Sequence, residues 1–223
     1  FEIKRGSTVG IIGGTGSGKS TLINLIPRFY DVTQGSVEVD GRNVKDYSFK
    51  QLRKQIGIVP QQSILFKGTI RDNMKWENPD LSDEDIITAL KNAQAYEFVS
   101  KLPMGLDSHV EQGGKNFSGG QRQRLCIARA IAAQPKVLIL DDSFSALDFA
   151  TDAALRKALS QYTHEMTVII VTQRCSTIMN SDLILVLDDG MLVGKGTHKE
   201  LLKNCETYKE ICLSQLSKSE VEV

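Results

Sequence analysis

Short apolar runs recur along the chain, separated by amphipathic and polar stretches. Val9-Gly10-Ile11-Ile12, Val137-Leu138-Ile139-Leu140, Val168-Ile169-Ile170-Val171 and Leu183-Ile184-Leu185-Val186-Leu187 are the clearest. Runs of four or five residues without polar alternation predict strands buried on both faces, as in a parallel sheet. Thr21-Leu22-Ile23-Asn24-Leu25-Ile26 has helical spacing, with Pro27 in or just beyond its last turn. Phe1-Glu2-Ile3-Lys4 alternates and predicts a strand already under way. Asp40-Gly41 lies between apolar positions and predicts a hairpin turn, as does Asp189-Gly190. From about 73 to 134 the pattern turns helical and polar, and Ser82 with Asp85 forms a near capping box ahead of Ile86. After His198 a polar helical tail is expected, fading over Ser217 to Val223. The fold class is therefore α/β. Residues 1–72 and 135–200 form a core with a β lobe, 73–134 a helical subdomain and 201–223 a helical tail.

The first apolar run leads into Gly13-Gly14-Thr15-Gly16-Ser17-Gly18-Lys19-Ser20, which fits G-x-x-x-x-G-K-[ST]. Strand, glycine loop and helix are the context that pattern requires. Glycines let backbone N–H groups approach phosphate oxygens, and the helix start adds positive potential. Gly14, Thr15, Gly16, Ser17, Gly18, Lys19, Ser20 and Thr21 are the expected nucleotide contacts. Lys19 should reach the β- and γ-phosphates of a nucleoside triphosphate, and the Ser20 hydroxyl should ligate Mg²⁺.

A carboxylate that helps hold the metal should stand at the end of another strand, because ligands bind there in open α/β sheets. Lys136-Val137-Leu138-Ile139-Leu140-Asp141-Asp142 supplies it. Asp141 is the expected metal ligand, directly or through water, and Asp142 sits where a catalytic base is wanted.

Ser118-Gly119-Gly120-Gln121 opens a second helix, in which Leu125, Ala128 and Ala132 share one face and Pro135 closes the run. Its start is a second anion-ready helix terminus. One nucleotide cannot easily sit at two separate helix starts of one subunit. The economical arrangement is a head-to-tail dimer in which Ser118, Gly119, Gly120 and Gln121 cap the γ-phosphate held by a partner's glycine loop.

Lysine plus arginine and aspartate plus glutamate each number 27, so the formal net charge is zero. That balance gives no nucleic-acid footprint. No apolar run approaches the roughly 18 residues that span a bilayer. Cys126, Cys175, Cys205 and Cys212 lack metal-ligand spacing and are expected as reduced thiols.

These motifs, in this order, resemble the nucleotide-binding domain of ATP-binding cassette (ABC) proteins over nearly all 223 residues. The matching positions are the phosphate loop Gly13 to Ser20, the Q-loop Val59-Pro60-Gln61 and the signature Ser118 to Gln121. They continue with Walker B from Val137 to Asp141, the D-loop Ser145-Ala146-Leu147-Asp148 and the switch Val171-Thr172-Gln173-Arg174. Gly68-Thr69-Ile70-Arg71-Asp72-Asn73 is similar to the exporter branch. The resemblance implies a P-loop NTPase (RecA-like) core with an antiparallel β subdomain and a helical subdomain. It implies ATP and Mg²⁺ as cofactors, with Ser20, Gln61 and Asp141 arranging the metal. Lys19, Gln61, Asp142 and Gln173 would carry catalysis, and Asp148 would link two sites across a dimer. It also implies a second cassette as partner, a transmembrane domain on the same polypeptide, and a place at the cytoplasmic face of the membrane. The abrupt start at Phe1 fits a piece of a longer polypeptide, since the family's adenine-stacking aromatic lies upstream of this point.

Two positions depart from the family pattern. Asp142 stands where efficient hydrolysers carry Glu, and Gln173 where they carry His. Both fall in the site built on this chain's own phosphate loop, whereas the signature serving the opposite site is intact. Gln112 stands where many exporters have Glu, although Glu111 is adjacent. The pattern resembles one subunit of a heterodimeric exporter with a slow site; a homodimer with an adequate Asp142 is the competing reading. Non-transport ABC ATPases and a regulatory nucleotide sensor are the alternatives in other functional classes.

Overall fold

The four continuous apolar runs become neighbouring strands of one sheet. The computed structural model describes residues 1–162 and 166–216. The chain opens with β1 (Thr8–Ile12) and α1 (Lys19–Asn24), then β2 (Glu38–Val39), β3 (Arg42–Asn43), α2 (Phe49–Arg53) and β4 (Ile56–Val59). A largely helical stretch follows: β5 (Gly68–Thr69), α3 (Ile70–Met74), α4 (Asp83–Asn92), α5 (Tyr96–Ser100), β6 (His109–Val110) and α6 (Gly119–Ala132). Strand and helix then alternate through β7 (Val137–Asp141), α7 (Phe149–Tyr162), β8 (Thr167–Thr172), α8 (Cys175–Ile178), β9 (Leu183–Asp188) and β10 (Met191–Gly196). Two helices, α9 (His198–Asn204) and α10 (Glu206–Leu213), end the described chain.

The main sheet has the order β10-β9-β1-β8-β7-β4. β9, β1, β8, β7 and β4 run parallel, and β10 closes one edge antiparallel. Side chains alternate between two cores. Val9, Ile11, Ile139, Ile169, Val171, Leu185 and Leu187 pack on one face. Ile12, Leu138, Leu140, Val168, Ile170, Ile184 and Val186 pack on the other. Covering both faces explains why the strands read as unbroken apolar runs. Each such side chain contributes about 2 kcal/mol on burial.

Local signals resolve as the residues predict. Asp40 and Gly41 both take positive φ, 57° and 72°, in the turn between β2 and β3. Asp189 and Gly190 do the same, at 44° and 75°, between β9 and β10. Paired left-handed residues are what a two-residue hairpin turn needs. Ser82 and Asp85 form a full capping box at α4.

Three expectations are corrected. Phe1 to Lys4 form no strand. Ile3 packs against the core from irregular backbone, and the Ser7 N–H and hydroxyl both bond the Lys4 carbonyl in a turn at Gly6 that interrupts the run. The tail is not a polar helix but two helices with a buried stripe of Leu201, Cys205, Tyr208 and Cys212; residues 217–223 lie outside the described chain. The cysteines are not all reduced thiols: Cys175 and Cys212 form a disulfide, while Cys126 and Cys205 are free and buried. Sequence spacing hid the pair because α10 folds back onto α8 over 37 positions.

α8 sits tightly on β1. A Cβ at Gly10 would lie 2.6 Å from Ile178 Cβ, closer than real contacts allow. Gly10→Ala should therefore cost about 2 kcal/mol by overpacking. In urea titrations the double variant Gly10→Ala/Ile178→Gly should cost less than the sum of the two single changes, because removing the Ile178 side chain from Cβ outward makes room for the added methyl. Strict additivity would mean that the two positions do not meet.

Candidate nucleotide site

The loop between β1 and α1 is shaped by two glycines with different needs. A Cβ at Gly13 would meet the Leu187 carbonyl oxygen at 2.1 Å and Ser17 Oγ at 2.6 Å, so the loop passes directly against β9. Gly18 caps α1 in the left-handed region, at φ 91°. Between them Gly14 and Gly16 have open space on their Cβ side, leaving exposed backbone for a large anion. Ser17 is buried beneath the loop. Thr15, Ser20 and Thr21 lie on its exposed side.

Lys19 folds back over this loop. Its Nζ donates to the carbonyls of Gly13 (2.9 Å) and Gly14 (2.6 Å) and to Ser17 Oγ (3.4 Å). Burial pushes the ammonium below its ordinary value, partly offset by Asp141 and Asp142. A cation that is poorly solvated and held only by neutral acceptors and nearby carboxylates is well prepared to receive phosphate oxygens.

Parallel register brings the acids to the same edge. Ile12 pairs with Thr172, and Asp141 with Val171, so β1, β7 and β8 end together. Ser20 Oγ donates to Asp141 Oδ2 at 3.0 Å. Burial raises the Asp141 carboxyl above the ordinary carboxylate range; the Ser20 hydroxyl and Lys19 oppose the shift and Asp142 reinforces it. A hydroxyl and a carboxylate side by side are hard oxygen donors of the kind Mg²⁺ takes from a protein while keeping several waters. The donor set fits that ion.

Gln61 is brought to Asp142 rather than to the Ser20–Asp141 pair: its Nε2 donates to Asp142 Oδ2 at 3.4 Å. Asp142 has φ 48°, unusual for a residue with a side chain. Its backbone is held on both sides, its N–H by the Val171 carbonyl (2.9 Å) and its carbonyl by the Ser145 hydroxyl (2.9 Å). Gln173 is exposed beyond β8. Its carbonyl accepts from Gln215 Nε2 at 2.7 Å.

The signature turns out to be a complete capping box. Ser118 Oγ accepts from the Gln121 N–H, and Gln121 Oε1 accepts from the Ser118 N–H. That leaves Gly119 and Gly120 with first-turn N–H groups that no helix can satisfy internally. A Cβ at Gly120 would lie 3.2 Å from the Ala146 carbonyl, so this glycine also lets the D-loop pack close. Asp148 caps α7 of its own chain, accepting from the Thr151 N–H at 2.9 Å and hydroxyl at 2.7 Å. These bonds hold its carboxyl below the usual range.

Several contacts at the site have no signal in the sequence. Buried Ser143 donates to the Val59 carbonyl at 3.2 Å, tying the Q-loop strand to the acids. Arg174 Nη2 donates to the Ser145 carbonyl at 3.3 Å, tying the switch to the D-loop. Past Gln61, Phe66 stacks on Trp76 with centroids 4.1 Å apart, and Arg129 lies over the Phe66 ring. Both aromatic rings are exposed.

Strand, glycine loop and helix stand in the order that the G-x-x-x-x-G-K-[ST] pattern requires. Residues 1–145 match the family described as ABC transporter. An uncharacterized ABC transporter ATP-binding protein of Bacillus subtilis, YfiB, is 47% identical over 218 residues, covering 98% of this chain and 38% of that protein. A putative multidrug export ATP-binding/permease protein of Staphylococcus aureus is 44% identical, over 95% of this chain and 36% of its own length. Among solved structures, a bacterial Atm1-family ABC exporter with ATP bound superposes with a TM-score of 0.92 at 38% identity, over 96% of this chain and 38% of the exporter chain. The chain belongs to the ABC transporter family and has its P-loop NTPase fold. It spans little more than a third of the length of these three proteins. No helix among the described residues is long and apolar enough to cross a membrane.

The raised Asp141 carboxyl has a thermodynamic consequence. A folded-state pKa above the unfolded one favours folding at low pH and loses that contribution as pH rises through the interval between them. Above that interval Asp141 is a charge held at a cost. Asp141→Asn should therefore raise the melting temperature of the protein without nucleotide, at neutral pH, by about a degree or more. It should at the same time reduce the Mg²⁺-dependent part of the thermal shift given by ATP. A lower melting temperature would mean that burial does not disfavour this carboxylate.

Proposed function

We propose that this chain is the ATP-binding cassette of an exporter, and that it binds Mg-ATP on its own phosphate loop as half of a head-to-tail dimer. The observation that carries the reading is the junction of Lys19, Ser20 and Asp141 at the shared edge of β1 and β7. Lys19 would exchange its loop carbonyls for phosphate oxygens. Ser20 and Asp141 would hold the metal, and Gln61 would join them by leaving the Asp142 carboxylate. Bound Mg-ATP supplies the free energy of phosphate transfer to water. Asp142 and Gln173 would position the attacking water and the γ-phosphate. Ser118 to Gln121 would cap the nucleotide on the partner cassette, and Asp148 would connect the two sites. Residues 73–134 form the helical subdomain in this reading. The exposed Phe66–Trp76 stack beyond Gln61 is the surface we assign to the membrane domain, which would lie on the same polypeptide at the cytoplasmic face.

We further propose that the site on this chain's phosphate loop is slow and that its partner is a different subunit. Asp142 is one methylene shorter than glutamate, and a misplacement of about 1 Å can cost roughly 100-fold in rate. Gln173 can hydrogen-bond a phosphate oxygen but has no titratable proton. In the intact transporter, Asp142→Glu with Gln173→His should raise ATP turnover at this site several-fold, read as single-turnover hydrolysis with the partner's site inactivated. Brisk turnover before the change, with no gain after it, would refute the slow site and favour a homodimer. Lys19→Ala should abolish retention of ATP at this site; unchanged retention would sink the nucleotide assignment itself.

A further inference from the structure

We propose that Cys175 and Cys212 form a reversible dithiol–disulfide latch that fastens the C-terminal helix α10 to the loop carrying Gln173. The two sulfurs are bonded, the Cα atoms stand 5.7 Å apart, and both residues are fully buried. Cys175 opens α8, two positions beyond Gln173, and Cys212 lies near the end of α10. The attachment is not covalent alone. Gln215 accepts from the Cys175 N–H at 2.9 Å and donates to the Gln173 carbonyl at 2.7 Å, so one side chain of the tail brackets the switch. α8 itself cannot slide freely, because Ile178 is pressed against Gly10 of β1. A bond from α10 to Cys175 therefore fixes the switch loop from both ends.

The bonded sulfurs lie beside a hydrogen-bonded side-chain pair. The Tyr208 hydroxyl lies 3.5 Å from Cys175 Sγ and 2.8 Å from His198 Nδ1, which links the sulfur to a titratable ring. Burial holds the His198 ring neutral to lower pH than usual and keeps the Tyr208 hydroxyl protonated, so the two stand beside the sulfur as a neutral hydrogen-bonded pair. Cys126 and Cys205 are free, buried thiols; Cys126 lies against the Ile64 carbonyl and Arg129, and Cys205 against the Val193 carbonyl. Closing the latch removes one proton and one electron from each of Cys175 and Cys212. The electrons pass to a small-molecule disulfide. One thiolate attacks it to form a mixed disulfide and release the first small thiol. The second cysteine then displaces the remaining thiol and forms the Cys175–Cys212 bond. Because both cysteines are buried, exchange requires α10 to lift locally, as terminal helices do more readily than core strands. The reduced tail keeps the Gln215 bonds but loses the covalent stop.

The effect on nucleotide turnover rests on the placement of Gln173 proposed above; the latch does not. The test uses the intact transporter, oxidised with hydroxyethyl disulfide or reduced with dithiothreitol. Non-reducing peptide mass spectrometry should find Cys175 joined to Cys212 after oxidation, with Cys126 and Cys205 still alkylated. Hydrogen exchange should be slowed at least tenfold over 173–178 and 206–215 in the oxidised form relative to the reduced one. Cys212→Ala should lose that difference while matching the reduced parent in turnover, which also shows that the variant folds. With the partner's site inactivated, single-turnover hydrolysis at this chain's own site should fall at least threefold in the oxidised parent. Full alkylation of Cys175 and Cys212 after oxidation, or equal exchange in both forms, would overturn the latch. So would one equivalent of zinc bound to the reduced protein and lost in Cys212→Ala; the sulfurs and a His198 nitrogen lie within 4.8 Å of one another and would then be a metal site. A bond that protects the loop yet leaves turnover unchanged would count against Gln173 at the phosphate and leave the latch standing.

Discussion

Ser20 donates a hydrogen bond to Asp141 across 121 positions of sequence, and the contact exists because β1 and β7 flank β8 in parallel register. Parallel strands end at the same edge only if each connection crosses back over a face of the sheet. Those crossovers are the helices that bury both faces. The same constraint thus produces the two cores and the polar edge. The glycine loop, Asp141, Asp142 and Gln173 all leave the sheet there. Gly13 shows how tight the tolerance is, since the loop passes the Leu187 carbonyl at a distance that excludes any side chain.

Much of this was legible because the relevant signals are local. An unbroken apolar run gives a buried strand, a left-handed Asp-Gly pair gives a hairpin, and Ser82 with Asp85 gives a capped helix. The phosphate loop was readable because its chemistry needs fixed residue types at fixed spacing. The Ser118–Gln121 box was visible as a helix start, although its reciprocal hydrogen bonds were not foreseen. The site contacts that the sequence does not show run through backbone or packing. Ser143 binds a carbonyl of β4, and Arg174 binds a carbonyl of the D-loop. A carbonyl acceptor has no sequence signature, so neither role could be read without coordinates.

The tail failed for a different reason. Leu201, Cys205, Tyr208 and Cys212 fall at helical spacing and form a buried stripe. Two of the four are cysteine, which packs as a small apolar residue although its spacing draws the eye to metal and disulfide chemistry. Read as a hydrophobic face, the pattern predicts docking, and docking is what brings Cys212 to Cys175. Phe1 to Lys4 failed in the opposite direction. One apolar residue in an alternating tetrad can pack without any strand, as Ile3 does.

The short side chain at Asp142 is instructive because the backbone around it is fixed. A missing methylene could be offset if the chain advanced toward the nucleotide by about 1 Å, a shift on the scale that governs catalytic positioning. Here the Asp142 N–H is bound to the Val171 carbonyl of β8, and its carbonyl to Ser145. Its φ of 48° already lies in a small allowed region, so rotation forward has little room. Gln61 takes up the carboxylate instead. Under the proposed reading the deficit is built into the strand register, and only a longer side chain can restore the reach. Gln173 compounds it, since the amide that replaces an imidazole hangs on a loop whose carbonyl is already held by the tail. Under that reading a site so braced would hold ATP better than it would hydrolyse it.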